Sequence, residues 1–375
     1  MATWLRCGDR GREFDLRPAI GGQILNKHNP RAIPARSLAL RAAAKAPGLL
    51  AYAEHRQTRP VRQPGRKRNA RRLATRRRVE LAAEELGYQV NARAAGLRRG
   101  ETGTIAIVVI GRDGQGPAAI NPFYYSLLGS TCAAAAERGY EALVSFQAQP
   151  EEFFGHYVAR RQADGVVVIG TATNQAAWDY FTACAKTAGR MAFWGSPFDD
   201  SVWVRSDNRD GGRLAVERLV QGGAQHIVFV GDPASSQRQF RERYEGYLAA
   251  MEAVGLKAGD AVVSSGADRV SQGRNAIAQL ADADAKFDGL FFACDAMALG
   301  ALEELTARGI AVPDDVGVIG FDGLGSGEFS APPLTTVEPD FARAGQLLVE
   351  TALASEGERP ARRVPVHLIE RASVR

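Results

Sequence analysis

The sequence predicts an α/β protein made of two open, parallel-stranded lobes. From Thr104 onward, short unbroken apolar runs rich in β-branched residues alternate with helical stretches. Strands that read this way are buried on both faces, and parallel strands need helical crossovers to connect them. The series also restarts near residue 225, and the ten or so strands in all would overfill a single sheet. Finally, 375 residues at 45% hydrophobic and 24% charged give room for two or three domains with sizeable cores.

The first strand is Ile105-Ala106-Ile107-Val108-Val109-Ile110, followed by a helical stretch over 124–139 that Gly139 closes. The second strand, Ala142–Phe146, leads into an expected helix around 151–162, and Gly165–Gly170 is the third. Met191–Trp194 is the fourth, and a helix over 211–222 ends the first series. The second series opens with His226–Gly231 and continues through helix 239–254, strand Ala261–Ser264, helix 271–283 and strand Gly289–Phe292. Helix 295–308 and strand Val316–Phe321 complete it, and Val364–Ile369 is a last strand-like run. Gly111-Arg112-Asp113-Gly114-Gln115-Gly116 does not lead straight into a helix and reads as a flexible connection.

Several function classes are disfavoured. No run of about 18 apolar residues exists, so no membrane-spanning helix is expected, and no apolar stretch follows Arg6 and Arg10 to make a secretory signal. Four widely spaced cysteines without a C-x-x-C pair point to a reduced, cytoplasmic protein, and five histidines without H-E-x-x-H argue against a metal centre. G-x-S-x-G, a P-loop and G-x-G-x-x-G after the first strand are all missing, so neither an enzyme nor a cofactor is expected.

The net charge of +5 hides an asymmetry. The first hundred residues hold 23 Lys and Arg against 7 Asp and Glu, leaving 24 against 35 for the rest. A basic head on an acidic body suggests that the head meets a polyanion, although a solvated basic extension has the same composition.

In open α/β sheets the ligand sits beyond the C-terminal strand ends. The residues there are Asn121-Pro122-Phe123-Tyr124, Trp194, Asp207-Asn208, Asp295 and Asp322. Asp207, Asn208 and Asp295 stand where helix N-caps belong. Phe123, Tyr124 and Trp194 suit either core or ligand platform. Asp322, beside Gly323 and Gly325, opens no evident helix and reads as a ligand contact. Aromatic faces, a carboxylate and Arg243 in one cleft suit a sugar, the rings covering C–H faces and the charges taking hydroxyls; a nucleobase could be gripped the same way.

The order and spacing of several segments carry a resemblance. They begin with Thr75-Arg76-Arg77-Arg78-Val79, Glu84-Glu85-Leu86-Gly87-Tyr88 and Thr102-Gly103-Thr104-Ile105. Asn121-Pro122-Phe123, Ser206-Asp207-Asn208, Arg243-Tyr244-Glu245-Gly246-Tyr247, Cys294-Asp295-Ala296-Met297 and Gly320-Phe321-Asp322 follow. From about Thr75 to the C-terminus, some four-fifths of its length, the chain resembles the lactose/galactose-repressor family of bacterial transcription regulators. The resemblance implies a homodimer with a two-lobed, periplasmic-binding-protein-like effector domain, binding operator DNA and a small sugar. It implies effector contacts at Phe123, Tyr124, Trp194, Arg243, Cys294, Asp322 and Phe341. Trp194-Gly195 is similar to members that sense glucoside disaccharides. Arg243→Ala or Asp322→Ala is expected to abolish the effector response with folding intact.

The resemblance also implies a hinge over 88–100. Tyr88 and Asn91 lead into a short helix, Ala92–Leu97, with Leu97 wedged into a minor-groove step and Arg93, Arg98 and Arg99 against phosphates. The expected domains are therefore an unmatched basic segment (1–74), the third helix of a DNA-binding domain plus hinge (75–100), and the effector and dimerisation body (101–375). Within the body one lobe is expected over 104–207 with 322–340 crossing, the other over 208–321 with 341–375. The helix-turn-helix expected before Thr75 is not recognisable, and Pro60 and Pro64 forbid a recognition helix there. Residues 1–74 read either as out-of-frame translation or as a disordered basic arm.

Overall fold

A computed structural model of the chain describes residues 75, 77–79, 81, 82, 85, 100–116, 120–195, 197, 202–355 and 361–375. The predicted hinge residues Tyr88, Asn91, Arg93, Leu97 and Arg98, and the segment 1–74, lie outside the described residues. The chain divides into two units, Met1–Tyr88 and Gln89–Arg375. In the first, the described positions Thr75, Arg77, Arg78, Val79, Leu81, Ala82 and Glu85 are helical and exposed.

The second unit contains two sheets. In chain order it runs β1 (Thr104–Ile110), α1 (Pro122–Glu137), β2 (Glu141–Gln147), β3 (Gly165–Gly170), α2 (Gln175–Ala188), β4 (Met191–Trp194) and β5 (Trp203–Ser206). There follow α3 (Asn208–Gln221), β6 (Ile227–Val230), α4 (Arg238–Ala253), α5 (Arg269–Asp282), β7 (Gly289–Phe292), α6 (Asp295–Ala307) and β8 (Gly317–Phe321). The unit closes with β9 (Thr335–Pro339), α7 (Phe341–Leu353), β10 (Arg362–Val364) and β11 (Val366–Ile369). One sheet has the order β10-β5-β4-β3-β1-β2, the other β11-β9-β8-β7-β6, and only β11 runs antiparallel to its neighbour.

β3, β4, β7 and β8 are buried throughout and β1 from Ile105 onward, whereas the expected burial of the second strand does not hold: β2 is a sheet edge and leaves Glu141–Val144 and Phe146 exposed. Along β1, Ile105, Ile107 and Val109 join one core, and Ala106, Val108 and Ile110 join another on the opposite side. The second sheet has its own core around Phe229, Leu290, Phe291, Val318 and Phe321. Among the described residues no helix is long and apolar enough to cross a membrane.

Four other expectations need correction. The chain crosses between lobes at 206–208, 339–341 and 364–366, so β9 belongs to the second sheet and α7 to the first lobe. The assignment of 322–340 to the first lobe and of 341–375 to the second is therefore reversed for these elements. Leu334 and Val337 bury in the second core, while Ala344, Leu347 and Leu348 bury in the first.

The predicted helix over 151–162 is a single 3-10 turn, Pro150–Glu152. Phe153 instead packs against Tyr180 and Phe181 of α2, and a Cβ at Gly155 would crowd Cys184. The predicted strand Ala261–Ser264 is one bridge, Val230 to Val262. Ser264 then donates to the Gln272 carbonyl at 2.6 Å, drawing the chain off the sheet edge. Lastly, Pro365 splits the Val364–Ile369 run into β10 and β11, one in each sheet.

Candidate functional site

A cleft of about 270 Å³ opens between the lobes, at the C-terminal ends of strands from both sheets. That is where an open α/β sheet offers loop backbone and helix starts to a ligand. The wall from the first lobe begins at α1. Asn121 caps that helix by accepting from Phe123 N–H at 3.0 Å, and Pro122 occupies the first turn, where its missing N–H is harmless. The cap fixes Phe123 and Tyr124 at the cleft, with Phe123 standing 6.0 Å from Trp194, ring to ring.

The facing wall is charged. Arg243 of α4 and Asp322, the residue after β8, are 4% and 6% exposed and pair at 3.3 Å. The guanidinium lies 3.4 Å from the centroid of Phe321, donates from Nε to Asn208 Oδ1 at 3.0 Å and donates from Nη1 to the carbonyl of Ala293. Asp322 has φ of 123°, strained for a residue with a side chain, and Asp322 N–H to Val337 O at 2.9 Å helps to hold it there. Burial pushes the Asp322 carboxyl up to about 6, although Arg243 pulls the other way. Burial lowers Arg243 in turn and is opposed by Asp322. Cys294 is pushed to about 12 by burial and by Asp322, so its thiol stays neutral.

Six of the seven expected effector residues line this cleft: Phe123, Tyr124, Trp194, Arg243, Cys294 and Asp322. Phe341 does not. It opens α7 and packs behind Phe123, with centroids 5.4 Å apart, so it supports the aromatic wall instead of facing the cleft.

The capping assignments divide. Asp207 caps α3 by accepting from Asp210 N–H. Asn208 is one residue inside and links Arg243 to Glu242. Asp295 is fully buried and accepts from Thr336 Oγ1 at 2.5 Å and Leu324 N–H at 2.6 Å, tying α6 to the segment after β8. Burial and the nearby Asp322 raise it to about 7.

Sequence reasoning missed Arg112, Gln239 and Arg269, all of which line the cleft. The glycine-rich connection therefore contributes Gly111 and Arg112 to the site. Gln239 stands one helical turn before Arg243, a spacing that could have revealed it. Its Nε2 donates to Gly195 O at 3.0 Å from the opposite lobe, and its Oε1 is buried without a partner among the described residues.

Chemically, the cleft offers flat apolar rings on one side and a guanidinium–carboxylate pair on the other. Asp322 keeps an oxygen, and Arg243 keeps N–H groups, that no other described residue uses.

Comparison with known proteins follows the same lines. Residues 216–374 match the periplasmic binding protein-like domain family. The chain is 31% identical over 312 residues to the HTH-type transcriptional regulator CelR of Thermobifida fusca, covering 80% of this chain and 89% of that protein. It is 29% identical over 280 residues to the ribose operon repressor of Escherichia coli K12, covering 74% and 82%. Among solved structures, a transcriptional regulator CelR–cellobiose complex superposes with a TM-score of 0.60 at 29% identity, covering 80% of this chain and 90% of that one. These relatives are transcriptional regulators, not enzymes.

Proposed function

The chain belongs to the lactose/galactose-repressor family of transcriptional regulators, and from that membership we propose that it is a carbohydrate-responsive repressor with its effector in the interlobe cleft. The observation that carries this reading is the facing of Phe123 and Trp194 by the buried Arg243–Asp322 pair. Sugars present an apolar C–H face and a rim of paired hydroxyls, and these two walls complement both. A glucoside is the favoured effector. Trp194 at the cleft and the cellobiose bound to the similar CelR support that choice.

Effector capture changes how the lobes sit, and the hinge around Tyr88–Arg98 carries that change to operator DNA. The effector can shift this equilibrium only by its differential affinity for the two states. The working unit is a homodimer. Tyr125, Leu143, Val144 and Phe146 are exposed apolar residues on and beside the edge strand β2, a surface that a second copy would cover. Residues before about 74 are read as out of frame, and resequencing for a helix-turn-helix in the adjacent frame tests that.

The function is tested by titrating the full chain with cellobiose, glucose and ribose while following thermal unfolding, since a ligand of the folded state raises the melting temperature. One sugar is expected to raise it and also to release operator DNA in a gel-shift assay. No shift with any carbohydrate would remove the sugar reading, and a shift without effect on DNA would remove the regulatory coupling.

A further inference from the structure

We propose that the effector carries an acidic group, a phosphate ester or a carboxylate, received between Arg112 of the first lobe and Arg269 of the second. This inference rests on the reading of the cleft as the effector site and adds a charge requirement to it. Arg112 follows β1 and lines the cleft, and among the described residues nothing hydrogen-bonds or ion-pairs with its side chain. Arg269 opens α5 on the other side. Its guanidinium donates to two neutral amides, Gln272 Oε1 at 2.8 Å and Gln237 Oε1 at 3.1 Å, and lies 4.8 Å from the Phe240 ring centroid.

The acids that line the cleft each have a partner. Asp322 is paired with Arg243. Asp268, next to Arg269 in sequence, accepts from the backbone and hydroxyl of Ser271, both at 2.7 Å, as the cap of α5. Three arginines and two aspartates therefore line the cleft, and two of the arginines have no carboxylate against them among the described residues. Both of these charges are felt at the Tyr124 phenol, and that of Arg269 also at Asp322 and Cys294, so both fields point inward.

Closing lobes over guanidinium groups that face no carboxylate strips their water, an unfavourable step unless a counter-charge arrives. A neutral sugar supplies none. An oxyanion supplies it in the planar, bidentate form that guanidinium groups favour, and an anion held from both lobes also draws them together.

Matched probes test the charge alone. Calorimetric titration of the full chain compares glucose with glucose 6-phosphate and cellobiose with cellobionate. The charged member of one pair is expected to bind at least tenfold more tightly, and the pair that shows it identifies phosphate or carboxylate. Arg112→Gln and Arg269→Gln should each reduce that charged-to-neutral ratio about tenfold. Among the described residues Arg112 makes no side-chain hydrogen bond or ion pair for its substitution to break. Neutral members that bind as tightly as their charged partners overturn this inference and leave the sugar cleft standing. Binding of none of the four overturns the cleft reading and the inference together.

Discussion

Asn208 accepts a hydrogen bond from Arg243 Nε at 3.0 Å and is the junction between the cleft and the crossing strands. Its amide donates to Glu242 Oε2 at 2.8 Å. Glu242 receives two further bonds from Arg363 of β10, at 2.6 and 2.9 Å, and one from Arg205 of β5 at 3.3 Å. Burial would raise this carboxyl, but the donors, Arg363 foremost, outweigh it and hold it below the usual range. Adjacent residues of α4 thus face different tasks. Arg243 enters the cleft, while Glu242 binds the strands that carry the chain between lobes.

Asn208→Ala should therefore loosen both sides at once. It leaves Arg243 Nε without its acceptor and takes one donor from a buried carboxylate, a loss of about 1–3 kcal/mol. Urea unfolding measures the loss directly. If Asn208 transmits closure, the variant also keeps ligand binding while losing most of the ligand's effect on DNA. A stable variant with normal induction would show that the junction is incidental.

Arg243 and Asp322 are not equivalent targets for mutation. The expectation that alanine at either position leaves folding intact does not suit a pair buried this deeply. Arg243→Ala strands the Asp322 carboxylate and leaves the Ala293 carbonyl and Asn208 Oδ1 without their donor. Breaking a buried pair from one side costs about 3–5 kcal/mol. Asp322→Asn retains an acceptor for Arg243 and should be milder. Equal losses in denaturant titrations of the two variants would contradict this ranking.

Asp295 gives the body a specific pH dependence. Folding raises its carboxyl from 3.8 to about 7, mainly by burial, so between those values the folded chain holds a proton that the unfolded chain releases. The contribution is complete below about pH 4 and is lost as pH rises towards 7, on the order of a few kcal/mol in total. Asp295→Asn cannot titrate. Measured by urea unfolding from pH 5 to 8, the parent should lose stability relative to this variant as pH rises. Parallel curves would mean that Asp295 ionises normally.

Much of this fold was legible in the sequence because burial on both faces leaves an unmistakable apolar run, as at Gly165–Gly170. The helix Phe341–Leu353 was not identified in the sequence, and only three-dimensional pairing decides that the first lobe buries Leu347 and Leu348. The segment 151–162 misled because Phe153 and Tyr157 serve the aromatic cluster on α2, not a helical stripe of their own. The cleft residues were found by their place after strand ends. Arg112 was discounted because a glycine-rich stretch looks mobile, and Asn208 and Asp295 because a polar residue at a helix start satisfies a cap or a distant partner with the same local pattern.

The glycine in Arg243-Tyr244-Glu245-Gly246-Tyr247 sets how closely α3 and α4 approach. A Cβ on Gly246 would collide with the backbone of Arg209, and one on Gly212 of α3 with the Arg243 carbonyl, so neither clash can be relieved by turning a side chain. Tyr247 anchors the same turn, its hydroxyl donating to Ile227 O at 2.8 Å. Gly246→Ala should push the helices apart, at about 1–3 kcal/mol for overpacking. It also moves Arg243, one turn earlier, away from Asp322, so ligand affinity should fall along with stability. Gly259→Ala is the control, because a Cβ there meets nothing within 4 Å, and it should change stability by less than about 0.5 kcal/mol. Thermal unfolding and ligand titration of both variants decide the matter: a Gly246→Ala protein that matches the control in both would mean that this helix contact does not position the arginine.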